Sequence, residues 1–164
     1  MNIDRLNKAV QFAVDEYVRA NTEGVRGMWD QGTWGRGEAT EEKVTTNEGD
    51  VVQVVCNSGC CLAGNIVIGA GDKFVAPGTY APGTVVSVEE CVTKDGEFRS
   101  VSDRAEELLD ITSSYVSNDD TDGDLFGGDN DIDDVLRLAR AMAEEHGQTL
   151  TVNLQKFHTM RARR

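Results

Sequence analysis

Three of the chain's four cysteines, Cys56, Cys60 and Cys61, fall within six residues in "CNSGCCLAG". A thiol at the first turn of a helix is a candidate nucleophile, because the backbone N–H groups there stabilise the thiolate. Cys60 and Cys61 are the catalytic candidates on that reading, with His146 or His158 as the base. A zinc site wants paired C-x2-C spacing, and the adjacent Cys60 and Cys61 do not easily share one tetrahedron. A Cys56–Cys61 disulfide requires Cα atoms within ~7 Å of each other and an oxidising compartment. The plainest alternative is packing: free cysteine behaves as a small apolar residue, suited to a tight strand-to-helix turn. The residue pattern favours packing, and no catalytic residue is assigned outright.

The second chemical feature is acidic. Ser117 to Asp134 holds eight aspartates and no lysine or arginine, within a chain of net charge −13. In "NDDTDGDLFGGD", Asn118, Asp120 and Asp122 take the first, third and fifth places of a calcium loop. Gly123 takes the sixth and Leu125 the apolar eighth, with Asp124 between them and Asp129 at the twelfth. That twelfth residue is not the bidentate glutamate of an EF-hand, and no helix pattern leads into the loop. Calcium is therefore the one cofactor the sequence raises, and the preferred expectation is none. The other use of the cluster is electrostatic: Asp119, Asp120, Asp122 and Asp124 form a patch that would steer a basic partner toward the chain. The same charge repels phosphates, so direct nucleic-acid binding is not expected.

These residues need elements to position them. Ile3, Leu6, Val10, Ala13, Val14 and Tyr17 recur at helical steps and predict an amphipathic helix over 3–20, stopped near Asn21 and Gly24. From Gly24 to Asp50 the chain reads as a polar, glycine-rich loop pinned by Trp29 and Trp34. "VVQVV" (Val51–Val55) predicts a buried strand that feeds a helix over Gly59–Ile68. Phe74–Val75 and Thr84–Val92 read as strands, and the two Pro-Gly turns between them suggest a hairpin. Ser102 looks like the cap of a helix carrying Ala105, Leu108 and Leu109. A last helix starts at Asn130 or Asp131 and ends at His146–Gly147, and "TLTVNL" has strand propensity.

At 164 residues with 39% hydrophobic and 27% charged residues, the expectation is one compact α+β domain over 1–155. It is expected to be mainly helical, about four helices with a small antiparallel sheet, followed by a frayed basic tail at 156–164. No apolar run approaches the ~20 residues of a membrane span, and the N-terminus does not read as a signal peptide. The expected location is the cytoplasm.

Three motifs then combine: W-x-Q-x2-W at Trp29, Gln31 and Trp34, C-x4-C-x-A-G at Cys56, Cys61, Ala63 and Gly64, and "LFGGDN" at Leu125–Asn130 before the terminal helix. Together they resemble a family of small uncharacterised proteins of actinobacteria and of the bacteriophages that infect them. Cys60 is not part of that pattern. The resemblance implies a protein of the bacterial host cytosol and no known reaction. The expected function is an accessory protein, non-enzymatic, binding a host protein or other host macromolecule through its acidic surface. A cysteine-dependent hydrolase and a structural or assembly protein of a virion are the alternatives.

Overall fold

The computed structural model describes residues 1–25, 27–111 and 124–163, without the side chains of Asn57 and Ser58. Helix α1 (Ile3–Glu23) buries Leu6, Ala9, Val10, Ala13, Val14 and Val18, a stripe at three- and four-residue steps. Asn2 caps it by accepting from the Arg5 N–H, and Gly24 ends it in the left-handed conformation at φ 67°.

The polar segment after it is not a continuous loop. Strand β1 (Gly35–Thr45) runs through "GRGEATEEKVT" and pairs antiparallel with β2 (Val51–Gly59). A register shift between Ala39 and Lys43 kinks this pair. Thr40 fastens the kink, donating its hydroxyl to the Val54 carbonyl 2.9 Å away. Glutamates hide β1 in the sequence because one of its faces is solvated, whereas Gly35, Gly37 and Ala39 turn inward.

Strand β2 leads into helix α2 (Leu62–Gly69), β3 (Lys73–Ala76), β4 (Val85–Val88), β5 (Glu90–Val92) and β6 (Phe98–Ser100). These form one antiparallel sheet in the order β4-β1-β2-β3-β5-β6. The expected strand over Thr84–Val92 is thus two strands: β4 pairs with β1, and β5 pairs with β3. The Pro-Gly segment does not join neighbours, and the partner that completes the hairpin with β3 is β5. Only Glu89 separates β4 from β5, yet β1, β2 and β3 lie between them in the sheet. The sheet must therefore curl until β4 at one edge meets β5, the strand next to the other edge, through one continuous segment. Inside the curl, Phe74 sits so close to Gly35 that a Cβ there would lie 2.6 Å from the ring.

Helix α3 (Val101–Leu109) is capped by Ser100, whose hydroxyl accepts from the Asp103 N–H, and not by Ser102. Helix α4 (Ile132–Glu145) begins with a capping box between Asp131 and Asp134. The segment "TLTVNL" does not join the sheet. It runs along α1, where its Thr151 and Asn153 N–H groups donate to Asn7 Oδ1 and Gln11 Oε1. Nor does the basic end begin as a frayed tail: Gln155–Arg161 form helix α5, with Phe157 and Met160 buried. Among the described residues the fold is α+β, with five helices and one six-stranded antiparallel sheet.

Candidate functional site

The three sequence motifs meet at the N-terminus of α2. Residues 28–34 lie alongside Cys60 and Cys61: the Cys60 N–H donates to Met28 O at 2.8 Å, Asp30 N–H to Cys60 O at 3.0 Å, and Cys61 N–H to Thr33 O at 2.8 Å. Gln31 sits at the centre, 6% exposed. Its Oε1 accepts from the Leu62 N–H at 3.2 Å, satisfying one of the donors that every helix start leaves open. Its Nε2 donates to the carbonyls of Leu125 and Gly127, each at 3.2 Å. One neutral side chain thereby joins the tryptophan loop, the cysteine helix and the "LFGGDN" turn.

Neighbouring residues lock the same junction. Asn130 donates to Asp124 O at 2.6 Å, and Asp124 Oδ1 accepts from the Phe126 N–H at 2.8 Å, closing the turn. Leu125 and Phe126 are buried in the main core. Trp29 and Trp34 pack against that core, with Trp29 edge-on to Tyr17 at 6.3 Å. Gly64 permits a close approach of α2 to residue 34: an added Cβ would lie 2.1 Å from Trp34 O. An eight-residue helix has little stability alone, so α2 depends on this packing.

The thiols occupy the floor of the junction. Cys60 is fully buried, Cys61 is 1% exposed, and all four cysteines are free. Burial pushes the Cys61 thiol up to about 11, against the opposing pull of the backbone N–H groups at the helix start. Cys91 is pushed up to about 12, again by burial first. A nucleophile needs the reverse, an accessible and acidified thiol. The imidazole expected as base is also remote. His146 ends α4, its Nδ1 2.9 Å from Met142 O, whereas the "LFGGDN" turn precedes the first residue of that helix. Fourteen residues at ~1.5 Å each put roughly 21 Å between the two ends. His158 is exposed on α5. The structure thus does not bring Cys60, Cys61 and His146 together.

Of the residues expected in the acidic loop, Asn118, Asp119, Asp120 and Asp122 lie outside the described residues. Asp124 is half-buried, and burial raises its carboxyl above the ordinary range. Asp129 is exposed in the turn before Asn130. Among the described residues no group of three metal-ligating side chains is gathered. Glu106 of α3 is 9% exposed and is also raised, by burial first and then by the charges of Asp103 and Asp124. No described helix is long and apolar enough to cross a membrane.

What sequence reasoning missed here is Gln31. It treats the tryptophans as the purpose of W-x-Q-x2-W, but the glutamine carries the hydrogen bonds that hold the motifs together. The available signal was a single amide side chain held between two large aromatic residues. No family model, curated protein or solved structure matches this chain.

Proposed function

We propose that the chain is a non-enzymatic binding protein that engages a basic host macromolecule, in the manner of a phage or actinobacterial accessory protein. The observation that carries this reading is the charge distribution: −13 overall, with eight aspartates and no cation between Ser117 and Asp134. An anionic segment of that density raises the encounter rate with a cationic surface and disfavours acidic competitors. The burial of Cys60 and Cys61, the two catalytic candidates, and the weak acidity of Cys61 support binding over catalysis by those thiols. The motifs that suggest a phage or actinobacterial setting then serve as scaffold, because Gln31 and Asn130 fix the turn from which the acidic segment departs.

The test is affinity capture from actinobacterial lysate, comparing wild type with a variant carrying Asn at 119, 120, 122 and 124. A stoichiometric basic partner that elutes with salt and associates at least tenfold more slowly with the variant is the expected result. A partner whose association rate ignores both salt and the four substitutions overturns the reading.

A further inference from the structure

A groove of about 600 Å³ runs between the C-terminal part of α1 and α5. Its floor is apolar, formed by Val18 at 9% and Met160 at 6% exposure. Lys156, Thr159 and Met160 fall at helical steps on the face of α5 that looks into the groove, and Arg163 lines it from the turn just past the helix. The volume lies within the range of small-molecule sites.

The electrostatics of this groove run against the rest of the molecule. In a chain with 29 acidic residues, no carboxylate among the described residues lines it, while Lys156 and Arg163 do. Neither cation makes an ion pair among the described residues. Arg161, between them in sequence, is engaged elsewhere, paired with Asp133 and stacked 4.5 Å over the Phe157 ring. The hydroxyls of Thr22 and Thr159 spend their protons within their own helices, donating to Val18 O and Gln155 O at 2.8 Å. Those hydroxyls can accept from a ligand but have no proton left to give. The amides of Asn21 and Gln155 also line the groove and can donate, but the positive charge that matches a negative head group comes from the ammonium and the guanidinium.

We infer that this groove binds an anionic amphiphile: a small molecule whose apolar body lies on Val18 and Met160 and whose acidic group is held by Lys156 and Arg163. The site shares no residue with the α2 junction or the aspartate segment, and it stands whether or not those bind a partner.

The test titrates the full chain with anilinonaphthalene sulfonate, an apolar anion whose fluorescence rises on burial, alongside the neutral N-phenylnaphthylamine. Saturable one-to-one binding of the anion is expected, with the neutral probe weaker. Replacing both cations (Lys156→Gln with Arg163→Gln) should weaken the anion about fivefold and leave the neutral probe unchanged, at the scale of two partly exposed charge contacts. Lys43→Gln, which removes a cation from β1, should leave both probes unchanged. Non-saturable binding, equal affinity in the double variant, or an equal loss in Lys43→Gln overturns the assignment. Far-ultraviolet circular dichroism on each variant confirms that the same folded state is compared.

Discussion

Two buried polar side chains, Gln31 and Asp72, each tie together segments that are distant in sequence, one with a neutral amide and the other with a carboxylate. Gln31 carries donor and acceptor at once, so it can face a helix N–H on one side and two carbonyl oxygens on the other. Asp72 can only accept, and its surroundings supply only donors. Its Oδ1 takes the Lys94 N–H at 3.3 Å and its Oδ2 takes Arg104 Nε at 2.7 Å. Arg104 then reaches Glu107 at 3.0 Å, and its hydrogen bond to Asp72 is the main reason its pKa is raised. Near Gln31, Cys61 and Asp124 are pushed toward their neutral forms, burial being the first cause for each, as it also is for Cys91 near Asp72. The acidic side of this molecule is thus joined by an uncharged knot, whereas the join between β3 and α3 tolerates a buried ion pair because an arginine is at hand.

The largest effect that separates the two joins is expected for Asp72→Asn. It removes the charge opposite a guanidinium that is only 16% exposed, and it sets an amide donor against another donor. Breaking a buried pair from one side typically costs about 3–4 kcal/mol, and that loss should appear in urea unfolding at neutral pH. A loss below about 1 kcal/mol would show that the Lys94 N–H contact alone suffices and that the ionic character is incidental.

Next in size is Gln31→Leu, similar in volume and without polar atoms. It strands the Leu62 N–H and takes one of two donors from each of the Leu125 and Gly127 carbonyls, which Asn130 continues to serve, for about 2 kcal/mol. An amide does not titrate, so the loss should be the same in unfolding curves at pH 6 and pH 8, as a neutral join requires. A loss that changes between those pH values would mean that a charged neighbour takes over the tether.

The smallest effect has the opposite sign. The Glu106 carboxyl is raised in the folded state above its ordinary 4.5, so its ionised form opposes folding at neutral pH. Its contribution favours the fold below that ordinary value and is lost as pH climbs through the raised one. Glu106→Gln should therefore raise stability at pH 7, read as a higher Tm than wild type. The gain should vanish as pH falls below about 4.5, where the native side chain is already neutral. A variant less stable than wild type at pH 7 would show that the carboxylate has a favourable partner in the folded chain.

Parts of this organisation are legible in the sequence for definite reasons. Helix α1 reads clearly because its apolar residues repeat with the helical period and glycine stands at the stop. The start of α4 reads clearly because Asp131 and Asp134 are a capping pair, a purely local device. Strand β1 does not, because glutamates on a solvated face and glycines on a crowded one give no alternating apolar signal. The split between β4 and β5 is hidden as well. "TVVSVEECV" has one uninterrupted strand pattern, and only the curl of the sheet assigns its two halves to different partners.

The sequence by itself determined the charge, the positions of the two longest helices, and the fact that the cysteines stand at a strand-to-helix turn. These depend on composition and on neighbours a few residues apart, where sterics and periodicity act directly. Tertiary structure alone decided that Cys60, Cys61 and Cys91 are buried, with the Cys61 and Cys91 thiols weakly acidic, while Cys56 is exposed. It alone placed Gln31 against carbonyls 94 and 96 residues away. Burial, and a hydrogen bond that closes across such a span, arise from how the elements pack, and no local pattern encodes them.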